Sequence, residues 1–85
     1  MIYVYVLYSA EYDRTYTGIS IDAEKRLKQH NGKENKSTKA YVPWKLIHVE
    51  HFDNRIEARK REKYLKSGIG REYIKSILNK APWRN

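Results

Sequence analysis

The chain has 85 residues, which is enough for one small domain with a single hydrophobic core. Its 18 lysine and arginine residues outnumber its 10 aspartate and glutamate residues, and the formal net charge of +8 favours a polyanion such as nucleic acid, although an anionic membrane surface would suit the same charge. The sequence has no cysteine, which excludes disulfide frameworks and cysteine-based zinc sites.

The first predicted element is the apolar run Ile2–Tyr8. It is too short to span a bilayer and lacks the basic leader of a signal peptide, so we expect a cytoplasmic protein without a membrane segment. Its residues are β-branched or aromatic and apolar on both alternating faces, which predicts a central strand covered on both sides. A polar turn over Ala10–Arg14 leads to a second strand, Thr15–Ile19, where Gly18 is expected to supply the backbone freedom that ends the strand.

A short helix is predicted next, because Asp22 can cap its first turn and the sequence Asn31-Gly32 can stop it after His30. The segment that follows, up to Pro43, is polar, rich in lysine and without periodicity. We therefore expect a mobile surface loop there, of a length that is often functional in small domains.

The second half of the chain predicts one strand and two helices. The strand covers Trp44–Phe52, and the next helix begins after a cap at Asp53 or Asn54 and is closed by Gly68. The last helix is predicted over Gly70–Leu78, with an apolar side formed by Tyr73, Ile74, Ile77 and Leu78. Residues 79–85 form a loose C-terminal tail in this prediction, and Trp83 within it could dock back onto the domain.

The first helix carries a polar pair close to its inward face. Ala23 and Leu27 mark that face, His30 falls between or beside them, and Arg26 lies at their margin. A polar pair that faces a sheet costs desolvation free energy unless it is hydrogen-bonded or opens onto a cleft. The spacing therefore marks Arg26 and His30 as candidate functional residues.

The second helix repeats this arrangement with a carboxylate. Glu62 lies on the same arc as Ala58 and Leu65, whereas Glu57 points away from it. The strands add phenol groups that could meet these charges on one surface: Tyr3, Tyr5 and Tyr8 on the first strand, and Tyr16 on the second.

These residues resemble the signatures of the GIY-YIG nuclease domain, which occurs in the incision subunit of bacterial nucleotide-excision repair, in homing endonucleases and in small stand-alone proteins. The resemblance covers about residues 2–77 and is closest to the stand-alone group. Tyr3-Val4-Tyr5 matches the first signature at its final tyrosine, with Tyr3 in place of glycine. Tyr16-Thr17-Gly18 matches the second signature at tyrosine and glycine, with threonine in place of isoleucine.

Three helix residues extend this resemblance. Arg26 stands where the family has its catalytic arginine, and His30 matches a histidine found one helical turn later in many members. Glu62 follows Ala58 by four residues, as the metal-binding glutamate of the family follows an alanine. The order and spacing of all these motifs, over a chain of suitable length, make the combination more specific than any one of them.

The resemblance implies a metal-dependent endonuclease that hydrolyses DNA phosphodiester bonds. It leaves open whether the enzyme selects particular DNA structures and whether RNA is also a substrate. It implies that Glu62 holds one Mg²⁺ or Mn²⁺ ion and that Arg26 binds the scissile phosphate. Tyr5 or Tyr16 would position or deprotonate the attacking water, and His30 would orient a tyrosine or share the proton transfer. A phenol with the ordinary pKa near 10 is a poor base at neutral pH, so a phenolate would need nearby positive charge.

Each candidate also has an ordinary structural explanation. Tyrosines are common strand residues that fill a core, and a lone arginine such as Arg26 is usually a solvated helix charge. His30 could be a helix-end residue that interacts with the helix dipole. Glu62 could pair with Arg59 or Lys66 at helical spacing.

The remaining basic and histidine residues carry weaker signals. Lys33, Lys36 and Lys39 of the loop either contact nucleic-acid phosphates or form a solvated surface. His48 and His51 are three residues apart on a strand and therefore face opposite sides, so we reject a zinc site there.

Together these patterns predict an α/β fold of the α+β type, in the order β-β-α-β-α-α, with a three-stranded, mostly antiparallel sheet flanked by helices and a single domain over residues 1–78. The favoured function is the metal-dependent endonuclease. The alternative is a non-catalytic nucleic-acid-binding module on the same scaffold, with a protein-interaction adaptor as a more remote third option. We expect a monomer. Because the sequence shows no second DNA-binding domain, a stand-alone nuclease of this kind would be weak, unselective or dependent on a partner protein that supplies specificity.

Overall fold

A three-stranded antiparallel sheet with the strand order β2-β1-β3 organises the computed structural model, which describes residues 1–80. The strands are β1 (Ile2–Ser9), β2 (Arg14–Ser20) and β3 (Lys45–Phe52), and the helices are α1 (Ala23–Asn31), α2 (Arg55–Lys66) and α3 (Gly68–Lys80). A short 3₁₀ helix, Lys39–Tyr41, lies between α1 and β3. The predicted order of strands and helices is confirmed, and β1 is the central strand. No helix within residues 1–80 is long and apolar enough to cross a membrane.

Helices cover both faces of β1, which explains why its sequence is apolar on both faces. Alternate side chains of the strand point to opposite sides, so one set packs beneath α2 and α3 and the other beneath α1. The core under α2 and α3 contains Ile2, Val4, Val6, Tyr8, Ile47, Ala58, Leu65, Ile74 and Leu78, and the core under α1 contains Tyr5, Leu7, Ala23 and Trp44.

The predicted helix caps are present at both helices that carry candidate charges. Asp22 Oδ1 accepts a hydrogen bond of 3.0 Å from the backbone N–H of Lys25, and Asn54 Oδ1 accepts one of 2.9 Å from that of Glu57. Of the two candidates for the second cap, the structure selects Asn54. These caps set the start of α1 and α2, and thereby the rotation at which each helix presents its polar residues.

The C-terminal helix differs from its prediction. It begins at Gly68, two residues before the predicted start, because Ser67 caps α2 and the chain turns at once into α3. The close helix–helix approach falls at Gly70, where a Cβ atom would overlap the Tyr64 carbonyl oxygen and Leu65 Cα. The helix continues to Lys80, so residues 79–80 are helical rather than part of a tail.

The rest of the C-terminal prediction is only partly tested. Ile74 and Leu78 are buried as expected and Ile77 is half-buried, whereas Tyr73 is 39% exposed at the rim of the helix pair. Residues 81–85, including Trp83 and its predicted docking, lie outside the residues described.

The histidines of β3 face opposite sides of the sheet, as predicted. His48 pairs with Val6 in the register and His51 pairs with Tyr3, and Val6 and Tyr3 lie on different faces of β1. Within residues 1–80 there is no group of three or more histidine, cysteine, aspartate or glutamate side chains that could hold a metal ion.

A charged network fastens β3 to α2. Arg61 donates to both carboxylate oxygens of Glu50, at 2.8 Å from Nε and 3.0 Å from Nη2, and His48 Nε2 lies 2.7 Å from the same group. The Arg61 guanidinium also lies over the rings of Tyr64 and Tyr73. Burial alone would raise the pKa of Glu50, but the hydrogen bonds and charges of Arg61 and His48 outweigh burial and lower this pKa. The ionised form of Glu50 is therefore stabilised in the folded protein.

Candidate active site

Tyr5 is the most deeply buried tyrosine of the candidate site. It lies on the α1 face of β1, is 1% exposed, and stands directly opposite Gly18 of β2 in the strand register. A Cβ atom at Gly18 would lie 2.7 Å from Tyr5 Oη and 2.8 Å from Tyr5 Cζ. Gly18 therefore leaves room for the phenol of Tyr5. The expectation that it ends the strand was wrong, since β2 continues to Ser20 and no glycine within residues 1–80 has a positive φ angle.

His30 is fully buried in the last turn of α1, beside both signature tyrosines. Its Nε2 atom lies 3.1 Å from Tyr5 Oη, and its ring centroid lies 4.8 Å from that of Tyr16. On the other side of the ring, Nδ1 lies 2.8 Å from Thr38 Oγ1. Burial and the positive charge of Arg26 lower the pKa of His30, so the imidazole is neutral at pH 7. His30 does lie at the helix end, as its ordinary structural explanation requires, but a buried and neutral imidazole brings no positive charge to the helix dipole.

Arg26 lies at the half-buried margin of α1, where the helical wheel puts it. Its Nη1 atom donates a bond of 2.6 Å to Gln29 Oε1, and its guanidinium lies close enough to Tyr5 for hydrogen bonding between them to affect the pKa of both groups. The hydrogen bond to Tyr5 raises the pKa of Arg26, in spite of partial burial, and the side chain remains a cation. A fixed guanidinium beside two phenols is suited to binding an anionic phosphate.

The protonation of Tyr5 reflects opposing effects. Burial raises its pKa above 10, the hydrogen bond from Arg26 lowers it, and the neighbouring Tyr16 and Glu62 raise it further. The net shift is upward, so Tyr5 is a neutral phenol in the structure. A phenolate at Tyr5 is thus harder to form than the charge of Arg26 alone would suggest.

Tyr16 is the tyrosine that solvent reaches more readily. It is half-buried and packs 6.2 Å from Tyr5, measured between ring centroids. It also lines an open groove together with the basic side chains Lys66 and Arg71. The site therefore has a buried tyrosine–histidine pair at its base and a tyrosine at its mouth.

Glu62 comes from α2, on the opposite face of the sheet from α1. It lies on the same helix side as the buried Ala58 and Leu65, its side chain is 17% exposed, and its carboxylate lies 3.3 Å from Lys66 Nζ. The side chain of Glu57 is 55% exposed. The contrast between these two glutamates is as the sequence predicted. No hydrogen bond joins Glu62 to the other candidate residues within the described chain, but its charge acts on the pKa of Tyr5.

The family follows from the comparison with known proteins. Residues 1–73 match the model of the GIY-YIG catalytic domain. The chain belongs to the GIY-YIG family. It is similar to UPF0213 protein CPE1444 of Clostridium perfringens, with 38% identity over 82 residues that cover 95% of this chain and 87% of that protein. It is also similar to a UPF0213 protein of Syntrophus aciditrophicus, with 45% identity over 78 residues, 88% of this chain and 87% of the relative.

A solved structure supports the same assignment for the fold. The solution NMR structure of UPF0213 protein BH0048 from Bacillus halodurans matches with a TM-score of 0.54 and 32% identity, and the match covers 98% of this chain and 90% of that one. The predicted resemblance and fold class are thereby confirmed. GIY-YIG domains form a nuclease family, so membership gives this chain a nucleic acid as its expected class of substrate.

The donor set of this GIY-YIG domain fits only one kind of metal ion. Residues 1–80 contain no cluster of three or more metal-binding side chains, and Glu62 is the one partly exposed carboxylate that acts electrostatically on Tyr5. Mg²⁺ commonly binds through one or two carboxylates and keeps several waters, and substrate phosphates can supply further oxygen ligands. Glu62 therefore fits a largely hydrated hard cation and does not fit a closed protein cage.

The loop between α1 and β3 is better anchored than its composition predicts. Lys33, Lys36 and Lys39 are exposed, and none has an ion-pair partner within residues 1–80. Thr38, however, is only 1% exposed, and the Trp44 indole N–H donates a bond of 3.0 Å to its carbonyl. The expectation of a surface loop is thus wrong at Thr38, while the mobility of the segment stays a prediction.

Sequence reasoning missed Thr38 and the basic groove residue Arg71. Thr38 lies in a polar, non-periodic segment, so no local pattern marks it as buried. Arg71 precedes the apolar side of α3 and becomes a neighbour of Tyr16 only through the packing of α3 against the sheet. The sequence offers one weak signal for Thr38. It is a hydroxyl residue that follows the helix-end histidine at a short distance along the chain, so it could become the hydrogen-bond partner of that histidine.

Proposed function

We propose that this GIY-YIG protein is a divalent-metal-dependent endonuclease that hydrolyses DNA phosphodiester bonds. The observation that carries the proposal is the convergence of Tyr5, Tyr16, Arg26 and His30 on one surface, with the charge of Glu62 acting on Tyr5. The first four groups supply a phosphate-binding cation and a proton acceptor, and Glu62 adds a carboxylate whose charge reaches Tyr5. Phosphodiester hydrolysis needs these three components.

The proposed chemistry divides the work between the two tyrosines. Tyr16, at the mouth of the site, positions the attacking water, and Arg26 binds the phosphate. As the water oxygen bonds to phosphorus, the P–O bond to the departing nucleotide oxygen breaks, and that oxygen takes a proton from solvent. One proton of the attacking water passes to Tyr5 Oη while the hydroxyl proton of Tyr5 passes to His30 Nε2. Because the two transfers are coupled, no free phenolate is needed, which accommodates the raised pKa of Tyr5.

Glu62 is the residue that would hold the metal ion in this proposal. When bound, a divalent cation supplies positive charge that stabilises the negative charge developing on the phosphate oxygens. The ion pair between Glu62 and Lys66 has to open for this role, and it is an exposed helical pair at 3.3 Å that contributes little stability.

A second candidate function is a nucleic-acid-binding module that does not cleave. The observation that favours it is the state of Glu62, which is engaged by Lys66 and belongs to no group of three or more metal-binding side chains within residues 1–80. Arg26 and the loop lysines would serve such a module equally well.

The experiment that separates the two candidates uses the full chain with duplex, single-stranded, nicked and branched DNA, with Mg²⁺ or Mn²⁺ and with a chelator. Cleavage should require the metal ion. Glu62→Gln keeps the size of the side chain and removes its charge, so it should lower the cleavage rate by about 100-fold or more while binding is retained. Glu57→Gln is the matched control on the same helix and should cleave like the wild type.

Two outcomes would refute this assignment in different ways. Equal cleavage by the wild type and Glu62→Gln would show that Glu62 does not hold the metal ion. A wild-type protein that binds these DNAs but cleaves none of them with either ion would favour the binding module.

A further inference from the structure

Thr38 connects the lysine-bearing loop to the buried centre of the candidate site. Its hydroxyl oxygen lies 2.8 Å from His30 Nδ1, and both residues are almost completely buried, with exposures of 1% and 0%. Its backbone is fixed from the other side, because the indole N–H of Trp44 donates to its carbonyl at 3.0 Å. The hydroxyl is therefore held at one position relative to the imidazole.

The hydrogen bonds of Thr38 determine which atom donates. Its hydroxyl can donate to the backbone carbonyl of Asn35, at 3.4 Å, which leaves the hydroxyl oxygen to accept from His30 Nδ1–H. A neutral imidazole carries a single N–H, so Nε2 then has no proton. Tyr5 Oη must in consequence donate its proton towards Nε2 across the 3.1 Å contact.

The remaining contact of Tyr5 agrees with this direction. A guanidinium has donors and no acceptor, so towards Arg26, whose proximity lowers the pKa of Tyr5 against the effect of burial, the Tyr5 oxygen can only accept. The hydroxyl proton of Tyr5 is then free to be donated to His30. With the histidine proton on Nδ1, the contacts His30–Thr38 and Tyr5–His30 each join one donor to one acceptor, and the buried hydroxyl of Tyr5 has an acceptor for its proton. With the proton on Nε2 instead, the Tyr5 hydroxyl would lose this acceptor.

We propose that Thr38 is a positioning residue that fixes His30 in the Nδ1–H tautomer, so that Nε2 is ready to accept the proton of Tyr5. This inference rests on the proposed function for its catalytic meaning, but the tautomer itself is a property of the folded protein. It gives the loop a second role besides any contact of its lysines with phosphate, because the loop backbone carries the group that orients the proton acceptor. Where a histidine ligates a metal ion, loss of the group that orients it typically costs about 10- to 100-fold in affinity or activity, and we expect a loss of the same order for the proton acceptor His30.

The tautomer can be measured without any cleavage assay. The chain has three histidines, so ¹⁵N-histidine labelling gives few signals, and His48→Gln and His51→Gln assign those of His30. Long-range ¹H–¹⁵N correlation spectra distinguish a protonated from an unprotonated ring nitrogen. We expect a protonated Nδ1 and an unprotonated Nε2 in the wild type.

Three variants test the role of the hydroxyl. Thr38→Val keeps the shape of the side chain and removes the acceptor, so the major tautomer should change to Nε2–H; kcat should fall about 10- to 100-fold with little change in KM. Thr38→Ser restores a hydroxyl and should recover both readouts. Ser37→Ala, at an exposed neighbour that bonds only within the loop, is the control and should match the wild type.

The results that would overturn this inference differ from the results that would refute the proposed function. A wild-type spectrum with Nε2 protonated overturns the inference, as does a folded Thr38→Val with an unchanged tautomer. If Thr38→Val does not fold, the wild-type spectrum still decides, and Thr38→Ser must reproduce it. A wild type that cleaves no DNA refutes the proposed function, while the tautomer measurement continues to test Thr38.

Discussion

The contact between Gly18 and Tyr5 predicts that one added methyl group will disturb the site. In Gly18→Ala, the new Cβ would lie 2.7 Å from Tyr5 Oη and 3.1 Å from Tyr16 Cε2. Ordinary van der Waals contact begins near 3.4 Å, so the Tyr5 oxygen must retreat by about 0.7 Å, the difference between 3.4 and 2.7 Å. The phenol cannot move freely, because it is buried and bonded to His30 at 3.1 Å.

The size of the effect follows from this lack of space. Forcing extra atoms into a packed core typically costs about 1–3 kcal/mol of stability. For a domain of this size each kcal/mol lowers Tm by about 4–8 °C, so we expect a Tm lower by roughly 4–24 °C. Displacement of catalytic groups by about 1 Å can cost about 100-fold in rate, so cleavage should also fall steeply.

Thermal unfolding followed by circular dichroism measures the first effect, and Gly68→Ala provides the control. A Cβ at Gly68 would have no atom within 4 Å, and alanine is favoured over glycine within a helix by up to about 1 kcal/mol, so its Tm should equal or exceed that of the wild type. A Gly18→Ala protein with the wild-type Tm and the wild-type His30 spectrum would refute the reasoning, because it would mean that Tyr5 is not closely packed on Gly18.

Two further predictions concern charge. Replacing Lys33, Lys36 and Lys39 together with alanine should reduce the salt dependence of DNA binding without a change in Tm. The slope of log K against log salt should fall in magnitude by about 0.9 for each phosphate that these lysines neutralise in the wild type. An unchanged slope would assign the loop lysines to solvated surface. Glu50 has a lowered pKa in the folded protein, so its stabilisation is present above the unfolded pKa near 4.5 and is lost as the pH falls through the folded pKa. Glu50→Gln should therefore lower the free energy of unfolding by about 1–3 kcal/mol at pH 7 and by progressively less in acid. Urea unfolding at several pH values measures this loss. Glu57→Gln is the control and should change the free energy of unfolding by only about a few tenths of a kcal/mol.

Local patterns predicted the elements of this fold because their causes are local. The apolar content of β1 on both faces, and the caps at Asp22 and Asn54, depend on neighbouring residues, and the structure confirms them. Features that depend on contacts between distant segments were not predicted. The start of α3 at Gly68 and the need for glycine at position 70 follow from the close approach of α2 and α3, which no pattern within either helix encodes.

The candidate site likewise has features that local patterns predict and features that depend on contacts between distant segments. Arg26 and Glu62 could be placed on inward helix margins from periodicity alone, whereas the burial of Thr38 and its bond to His30 required the path of the whole loop. The direction of the shift in the pKa of Tyr5 was equally out of reach, since it is the balance of burial against a hydrogen bond from another element. Periodicity thus shows which residues face the sheet, and only packing shows their protonation.

The register of the sheet explains where this chain departs from the family signatures. The matched residues Tyr5 and Gly18 face each other across β1 and β2, and both pack with Tyr16. The size of each of these residues therefore limits which side chains fit at the other two positions. Thr17, which replaces isoleucine, points to the opposite face, where it pairs with Val6 and needs only a β-branched shape. Tyr3, which replaces glycine, packs its ring against His51 of β3, on the side of β1 away from β2. Both departures therefore leave the contacts among Tyr5, Tyr16 and Gly18 intact, and these contacts are the part of the signatures on which the proposed chemistry depends.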